Sequence, residues 1–131
     1  MDVKFFDRED GKNPLNGRIL DQHVGLSELL SQLQSRAPFF CEVIAENGYT
    51  LLLGIGPRGC AQFSRTDGSP PYLMAVSHHP ETSTERFEFL AGGTLTPVST
   101  RYCLPFDAVK DIAAYFQRTG ERSATFAWEE I

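Results

Sequence analysis

The sequence predicts an α+β fold, in which an antiparallel, hairpin-linked sheet of about six to seven strands carries two main helices. Short β-type runs alternate with glycine- and proline-rich turns, and two other stretches place apolar residues at helical spacing. The turn signals lie at residues 10–14, 46–48, 56–59, 67–71 and 91–93. A chain of 131 residues, 41% of them hydrophobic, is long enough for one core, so we expect a single domain, residues 1–131.

The first predicted helix spans residues 26–35. Its apolar face consists of Leu26, Leu29, Leu30 and Leu33. Ser27 is the expected N-cap, and Pro38 ends the helical stretch.

The second predicted helix spans residues 105–119. A proline suits its first turn, and Gly120 suits its C-terminal cap. One face carries the apolar residues Phe106, Val109, Ile112, Ala113 and Phe116, and the other carries the charged residues Asp107, Lys110, Asp111 and Arg118. The acidic residues come early and a basic residue late, which complements the helix dipole.

The clearest strand signals lie on either side of Asn47-Gly48. Residues 39–46 alternate apolar and polar, and residues 49–55 form an almost wholly apolar run, which is typical of a central strand. Asn-Gly predicts a two-residue hairpin turn with positive φ at both positions. Further strands are expected at residues 60–65, 72–77, 86–90, 97–104 and, closing the chain, 124–128.

The net charge is −5, which disfavours a protein that binds nucleic acid directly, because neutralising phosphates needs a basic surface. An acidic domain can instead bind a basic partner, such as the substrate groove of a nucleic-acid enzyme. The same charge is also compatible with solubility alone.

Three cysteines, Cys41, Cys60 and Cys103, lie far apart in apolar runs and form no Cys-x-x-Cys pair. This spacing predicts buried free thiols in a reducing compartment. There is no signal-peptide-like start and no apolar run long enough to span a membrane, so we expect a cytoplasmic protein.

No catalytic motif stands out. Residues 54–59 match Gly-x-Gly-x-x-Gly, but the chain then continues as a strand where the dinucleotide fingerprint requires a helix, so a hairpin is expected. His78 and His79 are adjacent, and on an extended segment they point to opposite sides, which makes a shared metal difficult. We therefore expect no catalytic residue, cofactor or metal, although a small enzyme that uses this histidine loop stays an alternative.

The last third of the chain resembles the bacterial polymorphic-toxin immunity proteins known as immunity protein family one. The resemblance covers roughly residues 86–130. Its motifs are Gly92-Gly93 after a Phe-rich strand, Tyr102-Cys103-Leu104-Pro105 before a helix, Tyr115-Phe116-Gln117-Arg118-Thr119-Gly120, and the closing Phe126-Ala127-Trp128. The resemblance implies a non-catalytic cytoplasmic protein without cofactor that neutralises a cognate secreted toxin, commonly a nucleic-acid deaminase such as a DNA cytosine deaminase.

The leading hypothesis is a one-to-one inhibitor that covers the active site or substrate groove of a deaminase toxin and touches neither nucleic acid nor membrane. The expected partner-binding residues are Asp67, Tyr72, His78, His79, Glu81, Glu85, Asp107, Asp111, Glu129 and Glu130. The alternatives are a non-catalytic interaction or regulatory module, such as a secretion adaptor, and immunity to a nuclease or an ADP-ribosyl transferase.

Overall fold

The computed structural model describes residues 1–21, 25–78 and 86–131, and within them ten strands and two α-helices. They are, in chain order, β1 (Val3–Asp7), β2 (Ile19–Leu20), α1 (Leu26–Leu33), β3 (Phe39–Ala45), β4 (Tyr49–Ile55), β5 (Arg58–Arg65), β6 (Leu73–Ala75), β7 (Arg86–Ala91), β8 (Thr94–Ser99), β9 (Leu104–Pro105), α2 (Phe106–Thr119) and β10 (Trp128–Glu130). The predicted α+β class is confirmed. The strands outnumber the prediction because β1 and β2 were not expected and because the strand predicted at residues 97–104 is divided into β8 and β9.

The main sheet runs in the order β10-β6-β5-β4-β3-β1-β2, and every neighbouring pair along this path is antiparallel. The β7–β8 hairpin joins this sheet through a parallel pairing of Phe39 in β3 with Leu90 in β7. The short β9 pairs with the start of β5. The β3-β4-β5 meander therefore forms the centre of the sheet, as the apolar run at residues 49–55 predicted.

One face of the sheet packs against both helices and forms the main core. Alternate residues of β3 and β4, such as Val43 and Leu53, are fully buried there. The predicted apolar face of α2 is confirmed, since Phe106, Val109, Ile112, Ala113 and Phe116 are all buried in this core. The strand residues that alternate with period two and the helix residues that recur with period 3.6 thus bury their apolar side chains on the same side of the sheet.

The helix ends differ in how well the sequence predicted them. Gly120 ends α2 in the left-handed conformation, with φ +70°, and its N–H donates to the Phe116 carbonyl oxygen, as expected. The predicted Ser27 cap of α1 is wrong, because Gly25 occupies the N-cap position. Glycine has no side chain that could accept a capping hydrogen bond. Instead the side chain of Gln117, in α2, accepts a hydrogen bond of 3.0 Å from the Leu26 N–H.

The β3–β4 turn is longer than predicted. Residues Ile44 and Thr50 are paired, and only Gly48 in the loop has positive φ, at +90°. The expectation that Asn47 also adopts positive φ is wrong, because a third loop residue, Glu46, allows a turn that requires a single left-handed glycine. The Asn47 amide group instead donates to the Gly120 carbonyl oxygen, at 2.9 Å, and ties this hairpin to the end of α2.

The segment at the end of the chain also departs from the prediction. The strand expected at residues 124–128 begins only at Trp128, because the preceding residues form a turn around Ser123. The Trp128 indole N–H donates to the Ser123 carbonyl oxygen, and the Ser123 hydroxyl accepts from the Thr125 N–H. The strand expected at residues 97–104 is divided into β8, a short 3-10 turn and β9.

Candidate partner-binding site

Neither described helix lies on the second face of the sheet, which we call the helix-free face. Directly opposed residues in antiparallel strands share a face, so the strand register defines a row of side chains across it. This row, the central row, consists of Phe6, Glu42, Leu52, Gln62, Met74 and Glu129. It crosses six strands, and at about 4.8 Å per step it is roughly 24 Å long.

Ion pairs lie toward both ends of the central row, at Glu42 and at Glu129. The Arg8 Nε donates to Glu42 Oε1 at 2.8 Å. At the other end, Glu129 accepts from Arg101 at 2.6 Å and from the Tyr102 hydroxyl at 3.2 Å. The hydrogen bond from Arg101 lowers the pKa of Glu129, so this carboxylate stays ionised at neutral pH. The middle of the row, by contrast, contains only uncharged side chains.

The β7–β8 hairpin covers one part of the helix-free face. The Phe89 ring packs on Phe40, with ring centroids 5.2 Å apart, and both belong to a second apolar cluster with Cys60 and Met74. Gly54 permits this approach, because a Cβ at that position would lie 2.8 Å from the Phe89 ring and 2.7 Å from the Cys60 sulfur. The hairpin therefore forms a wall beside the central row.

Between this wall and the sheet lies a groove of about 480 Å³. Its floor includes Leu52, Gln62 and Met74, and its sides include Thr96 and Tyr102. No lining side chain in the described part of the chain is charged. Ile131, of which 55% is exposed, borders the groove next to Glu129.

A second, smaller hollow of about 320 Å³ lies at the β1–β2 side of the same face. Strand register places Lys4 opposite both Ile19 and Ile44, so all three share the helix-free face. Ile19 is 59% exposed. Together with Ile131, it places exposed apolar side chains at both ends of this face.

The predicted partner-binding residues do not form one patch. Glu129 lies on the helix-free face. Asp107 and Asp111 are exposed on α2, which packs against the opposite face. Asp107 is also paired with Lys110 at 3.4 Å.

Two other predicted residues lie around the turn that follows β5. Asp67 accepts hydrogen bonds from the hydroxyl and N–H of Ser69, which lower its pKa. The Tyr72 hydroxyl donates to the Gly68 carbonyl oxygen, and the Tyr72 carbonyl oxygen accepts from the Ile131 N–H. This turn is therefore joined to the end of the central row that carries Glu129.

The remaining predicted residues lie elsewhere. Glu130 pairs with Leu73, so it projects from β10 on the side opposite to Glu129. The exposed ring of His78 packs on Phe126, with centroids 4.8 Å apart. His79, Glu81 and Glu85 lie outside the described residues.

Sequence reasoning missed the uncharged middle of the helix-free face. The sequence predicts Leu52 in an almost wholly apolar central strand, and Gln62 and Met74 in strands of unspecified orientation. One signal was present, since Gln62 is the polar member of an apolar run, Cys60-Ala61-Gln62-Phe63, and so marks the face that is less buried.

Other candidate chemistry is accounted for by the fold. The Gly-x-Gly-x-x-Gly match joins β4 to β5, which confirms the predicted hairpin. The thiols of Cys41, Cys60 and Cys103 are buried and form no disulfide with one another, as predicted, and burial raises the pKa of Cys60 to about 12. Among the described residues, no three His, Cys, Asp or Glu side chains are grouped as metal ligands would be. Neither described helix has the length and apolar character needed to cross a bilayer.

Comparison with known families gives a match that spans nearly the whole chain. The family model described as Immunity protein Imm1 matches residues 16–130. No curated protein matches the chain. The match includes the central β3-β4-β5 meander, both helices and β10, and it extends well beyond the terminal motifs at residues 86–130. The chain therefore belongs to the Imm1 family of immunity proteins.

Proposed function

We propose that this Imm1 protein neutralises its cognate toxin by forming a one-to-one complex that covers the toxin's active site or substrate groove. The observation that carries the proposal is the helix-free face, a broad sheet surface with exposed apolar residues and a groove whose described lining side chains are uncharged. A surface of this kind suits stable binding to another protein. Inhibition by covering the toxin requires no catalytic residue, cofactor or metal in the immunity protein.

We further propose that the toxin is a nucleic-acid deaminase, with DNA cytosine as the leading substrate. The support is electrostatic, since 17 acidic residues outnumber 12 basic ones in this chain. An enzyme that binds nucleic acid presents a basic groove to phosphates, and an acidic protein is attracted to that groove. A nuclease would have the same attraction, so the reaction of the free toxin has to be measured.

The acidic residues have two proposed roles in this complex. Glu129, Asp67 and Tyr72 lie near one end of the central row and contact basic side chains at the rim of the toxin surface. Glu130 and residues 78–85, including His78, His79, Glu81 and Glu85, are proposed as neighbouring contacts. Asp107 and Asp111, on α2, raise the rate of association through their long-range field without touching the toxin.

The direct test is co-expression of this chain with the toxin domain encoded beside its gene, followed by a deamination assay on single- and double-stranded DNA. We expect a stable one-to-one complex in which deamination is suppressed in proportion to the immunity protein added. If the purified pair does not associate and the toxin stays fully active, this protein does not neutralise that toxin. If the complex forms but the free toxin cleaves DNA instead, the deaminase part of the proposal is wrong.

The electrostatic part has its own test, in which the association rate constant is measured between about 0.05 and 0.5 M salt. We expect it to fall by roughly tenfold or more, because salt screens attraction between exposed charges. An association rate that does not change with salt would contradict the proposed role of the acidic residues.

A further inference from the structure

We infer that the groove beside the central row receives an uncharged, apolar segment of the cognate toxin, so that the centre of the complex is apolar and the ionic contacts lie at its edge. This inference rests on the proposed function, because it names the surface and the partner chemistry of the same complex. An apolar centre of this kind distinguishes the complex from one in which the inhibitor acts mainly by placing carboxylates in a basic groove.

The described side chains that line the groove are uncharged. Leu52, Gln62 and Met74 form its floor, and the glutamates of the same row lie one strand beyond this middle section on either side. Both glutamates are already paired, Glu42 with Arg8 and Glu129 with Arg101. A charged side chain of the toxin that entered the groove would lose its hydrating water without gaining a partner of opposite charge. An apolar side chain would incur no such desolvation penalty.

The surface is also large and continuous. The groove volume of about 480 Å³ lies within the range of ligand-binding pockets, about 300–1,000 Å³, and exceeds what a single charged contact requires. The central row is roughly 24 Å long, which approaches the width of a standard protein interface. Ile131 and Ile19, near its two ends, extend the apolar contact beyond the groove.

An alternative is that the toxin adds a strand to the sheet beside β8. The exposed strand β8 borders the groove, and β7 is its only strand partner among the described residues. Pro97 lies within β8 and has no N–H to donate to an added strand. Side chains entering the groove, and not backbone pairing along β8, therefore explain this surface better.

The experiment places a charge of either sign in the middle of the central row. Gln62→Lys and Gln62→Glu are compared with Gln32→Lys and Gln32→Glu on the exposed surface of α1. Each pair makes the same change in net charge, so long-range attraction to a basic toxin changes equally in both. The dissociation constant for the toxin is measured for all four variants and for the unmodified protein, after thermal unfolding has established that each variant is folded.

Both Gln62 variants are expected to bind the toxin on the order of 100-fold more weakly, and both Gln32 variants within about threefold of the unmodified protein. The glutamate variant is the most informative, because a carboxylate-into-basic-groove interface would bind it as tightly as the unmodified protein or more tightly. Thr96→Lys on the exposed hairpin wall introduces the same charge without altering the sheet, and it is expected to weaken binding by at least tenfold.

Three outcomes overturn the inference. If Gln62→Glu binds as tightly as the unmodified protein, the groove centre is not apolar in the complex. If the Gln32 variants lose as much affinity as the Gln62 variants, the toxin does not select the helix-free face. If the unmodified protein does not bind the toxin at all, the proposed function fails, and the inference fails with it for that separate reason.

Discussion

The two faces of the central sheet are made by the same strands, and consecutive residues of one strand contribute to each. Leu53 projects into the core beneath α2 and is fully buried, whereas the preceding Leu52 projects into the groove and is half-buried. The helix-covered face is closed by packing within the chain. The helix-free face keeps apolar surface accessible. Similar side chains of one strand can therefore have separate roles, one in folding and the other, as we propose, in binding a partner.

The largest expected difference follows from these two leucines. Leu53→Ala should lower the free energy of unfolding by about 3–4 kcal/mol, because it leaves a cavity in a core without access to solvent. Leu52→Ala should lower it by only about 1 kcal/mol, since less apolar area is lost from burial. Urea denaturation measures both values. Equal losses would mean that the groove floor is as much a part of the folding core as Leu53.

The charged groups of the two faces differ in burial, as Leu53 and Leu52 do. The side chain of Asp7 is fully buried at the end of β1 and accepts a hydrogen bond of 2.6 Å from Arg36. Burial alone would raise the pKa of Asp7, but hydrogen bonds from Arg36, Asn13 and two backbone N–H groups outweigh it, and the net pKa is lowered. The pair Arg8–Glu42 on the helix-free face is substantially exposed.

Asp7→Asn should therefore lower the free energy of unfolding at pH 7 by about 2 kcal/mol, whereas Glu42→Gln should change it by less than about 0.5 kcal/mol. The contribution of Asp7 is present above the unfolded-state pKa of about 3.9 and is lost as pH falls through the lower folded-state value. Urea denaturation at pH 7 and near pH 3 should show the difference between the unmodified protein and Asp7→Asn shrinking on acidification. A difference that grows in acid would contradict the lowered pKa.

The contact between the β7–β8 hairpin and the sheet can be broken at Gly54. An added methyl group would meet the Phe89 ring and the Cys60 sulfur at distances below 3.0 Å, and neither neighbour is the end of a flexible chain. Gly54→Ala should cost about 2 kcal/mol of unfolding free energy and should displace the hairpin wall, which weakens toxin binding as well. Gly11→Ala is the control, because that position has no neighbour within 4 Å, and it should be close to neutral.

Sequence reasoning predicted the helix-covered face well because its signals are local. The apolar face of α2, its Gly120 cap and the buried alternation of β3 each depend on residues within a few positions of one another. The helix-free face depends on distant pairings, such as β10 with β6 and the return of Phe89 onto Gly54. The predicted site followed charge and the position of the histidine-containing loop, and so it included Glu129 but also Asp107 and Asp111 on the opposite side of the sheet. No local pattern could indicate which acidic residues share a face.

Among the buried residues, the smallest loss of stability is expected at Gln117, a polar residue within the helix layer. The Gln117 side chain accepts from the Leu26 N–H at 3.0 Å and donates to the Asp21 carbonyl oxygen at 2.8 Å, so it caps α1 from α2. Gln117→Leu removes both hydrogen bonds while keeping apolar contacts, and it should lower the free energy of unfolding by about 1–2 kcal/mol. Gln32→Leu, on the exposed surface of α1, should change it by less than about 0.5 kcal/mol. Because the helix layer lies opposite the groove, toxin affinity of the folded Gln117→Leu protein should stay within about threefold of the unmodified value, whereas a larger loss would show that the two faces are energetically coupled.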